Sequence, residues 1–302
     1  MANIIKRILN KDAWTMYFAM RGKYDKLPDD EYLKKIYKAI FHKELDLDDP
    51  KTFSEKLQWL KLYDRRPVYN RMVDKAEAKV FAAERIGEEY IIPTLGVWNS
   101  PDEVDFSVLT EPYVIKSTKD SGSAVICPDV TKIDPAEVIS KLKSKSERDY
   151  YLIWREWPYK DVPSRIIAEK YMVDSSDGEL RDYKFFTFGG EPKYLYIASG
   201  RGRTGETVAD FFDMDFNHVD LKIDHENAAT PPHPPKNFEL MKTLAAKLAA
   251  GTPELRVDFY EVDGRVYFGE MTFFHCAGLY PFKTPEWDRK LGDLITLPEK
   301  TV

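Results

Sequence analysis

Apolar residues in the first quarter of the chain recur at helical spacing. Ile4, Ile5, Ile8 and Leu9 lie among Lys6, Arg7 and Lys11, and Tyr32, Leu33, Ile36, Tyr37 and Ile40 form a second stripe. The first stretch is basic and amphipathic. It suits a membrane surface or packing on its own domain, and the second is preferred. Pro50-Lys51-Thr52 opens a third helix, with Thr52 as cap and Glu55 three residues on, a capping-box pattern. A fourth runs from near Val73 to Ile86 and stops at Gly87. Residues from about 3 to 85 are therefore expected to be helical.

Beyond Gly87 the runs shorten. Tyr90 to Ile92 and Thr94 to Trp98 flank Pro93, Tyr113 to Lys116 reads as a buried strand, and Ser123 to Cys127 returns after a polar turn. Residues 135 to 143 are helical in pattern, and 165 to 171 form a strand. Residues 181 to 188 and 192 to 198 flank Gly189-Gly190 as a hairpin. Residues 224 to 236 are Pro-rich and polar without a period, a loop. Residues 238 to 250 form an Ala- and Leu-rich helix ending at Gly251. Residues 256 to 262 and 265 to 271 flank Asp263-Gly264, a strong hairpin signal. A helical start followed by mixed strands and helices predicts an α+β fold. No G-x-G-x-x-G or P-loop motif follows a strand.

The chain has 302 residues, 43% hydrophobic and 32% charged, ample for a packed core. Its formal net charge of -6 argues against nucleic-acid partners, which attract basic faces. No apolar run reaches the ~20 residues that span a bilayer, and residues 2 to 9 are too short and too basic for a signal peptide. Cys127 and Cys276 lack metal-ligand spacing and read as free thiols. The expected location is the cytoplasm, with membrane association at most peripheral; the oligomeric state is open.

Chemistry-bearing residues fall into four groups. Lys116 ends an apolar strand and precedes Ser117 to Ser123, where a lysine and a small-residue loop with Ser121, Gly122 and Ser123 suit polyphosphate; a purely structural turn fits equally. Glu169-Lys170-Tyr171 and Asp182-Tyr183-Lys184 place charges in apolar strands, which is costly unless they are paired or exposed. Arg256-Val257-Asp258 and Glu270-Met271-Thr272 sit on the two arms of one hairpin, and their oxygens suit magnesium, with paired surface acids as the plain alternative. Arg201 and Arg203 lie in a Gly-rich segment, where solvated arginines are commoner than ligand-binding ones. The sum is a parts list for phosphoryl transfer. No Ser-His-Asp or Cys-His nucleophile pattern is evident, and His275, beside the hairpin, reads as a satisfied structural histidine.

From Asp74 through Gly278 the sequence resembles the ATP-grasp superfamily, and more closely its TupA-like branch, associated with teichuronopeptide and capsule-type polysaccharide assembly. The resemblance rests on TFSEKLQW at 52–59, Asp74-Lys75, IIPTLG at 91–96, Ala168-Glu169, DYKFF at 182–186, RVDFY at 256–260 and FGEMTF at 268–273, in the family's order. It implies an ATP-grasp fold, two α+β subdomains enclosing ATP, with an N-terminal helical extension. Residues 1–72 would be that extension and 73–302 the ATP-grasp domain, with one subdomain around 110–168 and a C-terminal one over 169–302.

The implied roles follow residue by residue. Lys75 and Lys116 would bind phosphates, and Glu169, Lys170, Tyr171 and Met172 would form the hinge strand at adenine. Asp182 would lie at the nucleotide, and Lys184 would reach the phosphates or the transferring group. Arg256 and Arg201 would serve catalysis, Arg256 by stabilising the tetrahedral intermediate. Asp258 and Glu270 would hold magnesium with Thr272, which stands where the family often has Asn. Lys119-Asp120 stand where a His-Gly pair is usual. The implied activity is ADP-forming ligation of a carboxylate, such as a sugar uronate, to the amine of an amino acid. A glycosyltransferase or a non-catalytic scaffold of the same pathway are the alternatives.

One expectation is geometric. A strict two-residue turn at Asp263-Gly264 would pair Val262 with Arg265 and set Asp258 opposite Gly269, so Glu270 would point to the other face. A shared metal requires the register to shift by one, through a longer loop or a bulge with Gly264 at positive φ.

Overall fold

The computed structural model describes residues 11–120, 122–145, 148–175, 180–199, 207–223 and 225–301. The basic stretch at 4–9, Ser121, Arg201 and Arg203 lie outside them. Helices α1 (Lys11–Met20), α2 (Asp29–Phe41), α3 (Phe53–Tyr63), α4 (Val68–Val73) and α5 (Lys75–Ile86) come first. Thr52 caps α3 by accepting from the Glu55 N–H, and Glu55 reciprocates by accepting from the Thr52 N–H at 3.0 Å, the expected capping box. Nine of the eleven residues of α3 are buried, so this helix is built into the body of the protein on all sides. The fourth expected helix, from near Val73 to Ile86, is α5. Asp74 ends α4 and caps α5, accepting from the N–H groups of Ala76 and Glu77.

Strands β1 (Thr94–Trp98), β2 (Tyr113–Ser117), β3 (Val125–Cys127) and β4 (Ile166–Lys170) form an antiparallel sheet in the order β1-β4-β2-β3. Burial alternates along β2. Tyr113 and Ile115, with Ile166 and Ala168 of β4, face Val138 and Leu142 of helix α6 (Pro135–Lys145). Val114, Lys116 and Glu169 therefore point to the opposite face.

The second sheet has six strands in the order β10-β9-β5-β6-β7-β8. These are β5 (Asp182–Phe188), β6 (Glu191–Ser199), β7 (Val208–Asp213), β8 (His218–Val219), β9 (Glu254–Val262) and β10 (Arg265–Thr272). Helix α8 (Phe238–Ala249) covers one face, where Phe238 stacks on Phe185. Helix α7 (Tyr150–Trp154), α4, β7 and β8 are not signalled by the hydrophobic pattern. All seven residues of β5 are buried, because both faces of this central strand are covered.

The β9–β10 turn closes with two residues, Asp263 at φ 51° and Gly264 at φ 75°, and pairs Val262 with Arg265. The register nonetheless shifts further along, between Phe268 and Glu270, so that Asp258 stands opposite Glu270. The extra residue is Gly269, where a Cβ would lie 3.1 Å from the Asp258 carbonyl oxygen and from the Tyr260 ring. The shift thus comes from Gly269 and not from the turn.

The last helix, α9 (Glu286–Leu294), closes the fold against α3. Asp288 accepts from the buried Ser54 N–H at 2.8 Å. Gly292 lies directly on the start of α3: a Cβ there would meet the Lys51 carbonyl oxygen at 2.3 Å and the Phe53 nitrogen at 2.7 Å. Backbone cannot retreat as a flexible side chain can. Gly292→Ala is therefore expected to cost about 1–3 kcal/mol of stability. Urea unfolding checks this, and an unchanged midpoint would show that the contact opens without penalty.

Candidate active site

The face of the large sheet away from α8 carries Glu254, Arg256 and Asp258 of β9, in register with Phe188, Phe186 and Lys184 of β5. Arg256, 7% exposed, forks onto Asp258: Nε donates to Oδ1 and Nη2 to Oδ2, each at 2.7 Å. Nη2 also donates to Glu270 Oε1 at 2.7 Å, across the bulge-shifted register. Nη1 lies 2.8 Å from Nδ1 of the buried His275; guanidinium can only donate, so this nitrogen accepts. Lys184 donates to Asp258 Oδ2 at 2.6 Å and lies 3.6 Å from Asp182. Burial acts against the Arg256 charge, but Asp258 and Glu270 outweigh it and hold the guanidinium above its ordinary range. The Thr272 hydroxyl is 3.4 Å from Glu270 Oε1. Among the described residues no group of three or more His, Cys, Asp and Glu is arranged to hold a metal ion.

The open face of the small sheet supplies a second charge cluster. Glu169 accepts from Lys79 at 2.7 Å and from Lys116. Burial would raise its carboxyl, but the two ammonium groups keep it below the ordinary range. Lys75, at the start of α5, donates from Nζ to the Asp120 carbonyl oxygen, and its backbone N–H bonds Thr118 O at 3.0 Å. Burial lowers the Lys75 ammonium, while Glu270 raises it and Lys116 opposes. Lys75 therefore stands within electrostatic reach of both sheets.

The other expected site residues lie at the end of β4 and in the loop after β2. Lys170 turns its exposed side chain to Glu111 at 3.0 Å, away from Glu169. Tyr171 and Met172 follow the end of β4, and the Tyr171 N–H is bonded to Pro112 O at 2.9 Å. The Ser123 hydroxyl closes its own loop, accepting from the Ser117 N–H at 2.9 Å and donating to Asp120 at 2.6 Å. Gly122 has φ 88° beside it.

Other residues escaped the sequence reading. Lys79 lies four residues from Lys75 on α5, a same-face spacing that could have flagged it. Tyr150, Tyr159 and Glu156 have no such signal. They come from the segment after α6, and all three sense the charge of Arg256. Burial pushes Glu156 up and its neighbour Lys61 down, so each is shifted toward its neutral form. Lys61 donates to Trp154 O at 3.0 Å and Ala277 O at 2.7 Å, tying α3 to the loop that carries His275.

A family model described as TupA-like ATPgrasp matches residues 55–296. No curated protein sequence gives a significant match. Among solved structures, D-alanine–D-alanine ligase from Bacillus anthracis complexed with ATP is 15% identical, with TM-score 0.39, over 67% of this chain and 53% of that one. Another structure of that ligase gives 16% identity and TM-score 0.43, over 73% and 65%. The ATP-grasp ligase PsnB, complexed with a phosphomimetic variant of its minimal precursor, Mg and ADP, gives 10% identity and TM-score 0.46, over 91% and 71%. The chain thus spans between about half and two thirds of the two D-alanine–D-alanine ligase structures. Likenesses this distant carry no argument about chemistry.

Glu254, 1% exposed, shares the sheet face of Arg256, and neither of its carboxyl oxygens has a hydrogen-bond partner among the described residues. Burial pushes this carboxyl well above its ordinary range, and Arg256 offsets only part of that. The folded chain keeps the proton to higher pH than the unfolded chain does. Stability must then fall by ~1.4 kcal/mol per pH unit above the ordinary carboxylate pKa, until the folded group ionises. Glu254→Gln is expected to remove this loss. Its advantage in Tm over the parent should grow as the pH is raised above about 5. Parallel loss of stability in both proteins would show that Glu254 is ionised in the fold.

Proposed function

The chain belongs to the TupA-like ATP-grasp family, and on that premise we propose that it is an ADP-forming ligase joining a carboxylate to an amine with ATP and magnesium. The observation that carries the reading is the opposition of Asp258 and Glu270 across the Gly269 bulge, with Arg256 and Lys184 on the same face. Two carboxylates and a threonine hydroxyl are hard oxygen donors. They fit a magnesium ion whose other positions are filled by water and phosphate oxygens. Asp258, Glu270 and Thr272 would hold that ion, which supplies charge neutralisation to the phosphates.

Lys75 and Lys116 are assigned to phosphate binding, and Glu169 to Met172, the end of β4 and the two residues after it, to the adenine side. Lys79 and Lys116 hold the Glu169 carboxylate between them. In the proposed reaction a substrate carboxylate oxygen attacks the γ-phosphorus and ADP leaves. The amine then attacks the acyl carbon of the resulting acyl phosphate, inorganic phosphate leaves and the amine loses a proton. Arg256, kept cationic by its two carboxylates, is assigned to offset the negative charge that grows on the acyl oxygen. Lys184 is assigned to the transferred phosphoryl group. A uronate sugar of a cell-surface polysaccharide or its precursor is the proposed acid, and an amino acid the amine.

Incubation with ATP, magnesium and a panel of uronates and amino acids is expected to release ADP and phosphate, with an amide found by mass spectrometry. AMP and pyrophosphate, or turnover only with a nucleotide sugar, would contradict the proposal. Arg256→Ala should lower kcat by the equivalent of about 2.7–4 kcal/mol with little change in nucleotide affinity. Lys116→Ala should instead weaken nucleotide binding. Circular dichroism alongside distinguishes these outcomes from unfolding.

A further inference from the structure

Helix α1 has two unlike faces. Ala19 is fully buried, and Met16 packs beside it against the core formed with α2. On the other side Trp14, Tyr17 and Met20 are 42%, 45% and 40% exposed, with Ala13 and Arg21 exposed among them. At 3.6 residues per turn these five positions form one stripe. A surface helix ordinarily turns its apolar stripe inward; α1 carries apolar residues on both faces.

The outward stripe is built from side chains that favour a lipid–water boundary. The Trp14 ring lies 5.5 Å from Tyr17 and 5.6 Å from Phe18. The Arg21 guanidinium sits 4.6 Å from the Tyr17 ring centre, and the Lys23 ammonium 4.1 Å from that of Phe18. Tryptophan and tyrosine settle at headgroup level, where cations beside them meet anionic phosphates. Residues 1–26 hold six Lys and Arg against two Asp, within a chain of net charge -6. This excess sits on the end that carries the aromatic stripe.

We propose that the outward face of α1 docks the protein on an anionic bilayer surface. The docking face is joined to the charged site by the segment after α6. Arg148 donates to Met20 O and Arg155 to Asp25 O, each at 2.8 Å, and Tyr150, Glu156 and Tyr159 of the same segment sense Arg256. Docking through α1 would hold the site at a fixed relation to the membrane and to any lipid-borne acceptor. The proposal does not depend on the ligase reading.

The test is sedimentation of the full chain with vesicles of phosphatidylcholine alone and with vesicles containing about 30% phosphatidylglycerol. Binding is expected only to the anionic vesicles, and it should weaken as salt is raised. Replacing Arg21→Ser together with Lys23→Ser should lower the partition roughly fivefold per charge removed. Tyr17→Ser with Met20→Ser should also release the protein, and circular dichroism and nucleotide affinity should be unchanged in both variants. Failure of the full chain to sediment with anionic vesicles overturns the proposal. So does binding that survives both double substitutions. A dimer seen by light scattering and dissociated by the same substitutions would assign the face to self-association instead.

Discussion

A guanidinium buried against a sheet must be met by carboxylates, because an unpaired charge there costs several kcal/mol. Arg256 meets this condition through Asp258 on its own strand and Glu270 on the next. The second contact requires β10 to be displaced by one residue, and Gly269 provides the displacement. A tight turn alone would leave Glu270 on the opposite face. The bulge thus fixes which oxygens stand together, and His275 fills the remaining side of the guanidinium. Lys184 then balances the second oxygen of Asp258.

The small sheet follows the same rule with the charges reversed. Glu169 is a buried anion flanked by Lys79 and Lys116. Lys75 senses Glu270 of the large sheet as well as Glu169, so the two clusters are electrically linked. Helix α5 carries Lys75 and Lys79 and is anchored by its Asp74 cap, which Arg165 also holds at 2.8 Å. The interior of α3, with Lys61 and Gln58 bonded to Ala277 O, steadies the loop after β10. The helical start of the chain is therefore part of the support of the site.

Much of this is legible in the sequence. The capping box of α3, the Gly189-Gly190 and Asp263-Gly264 hairpins and the α+β class all have local signals, since turn geometry depends on a few residues. The approach of Arg256, Asp258 and Glu270 can be required from chemistry, but its cause cannot be read. A bulge is set by pairing across strands, and Gly269 looks like any strand glycine until its partner is known. Lys79 is within reach of helical spacing, whereas Glu156, Tyr150 and Tyr159 come to the site by tertiary folding alone. The resemblance groups Lys170 with its neighbours, yet strand alternation sends it to Glu111.

The central claim is that Asp258 and Glu270, brought together by the bulge, form one cation site for a nucleotide. Manganese favours the same oxygen ligands as magnesium and is visible by electron paramagnetic resonance. Titration of manganese into the protein with a non-hydrolysable ATP analogue measures that site directly. The account predicts a bound ion that requires the nucleotide and is lost in both Asp258→Asn and Glu270→Gln, while the fold is retained. Manganese binding that persists unchanged in the two folded variants would contradict it.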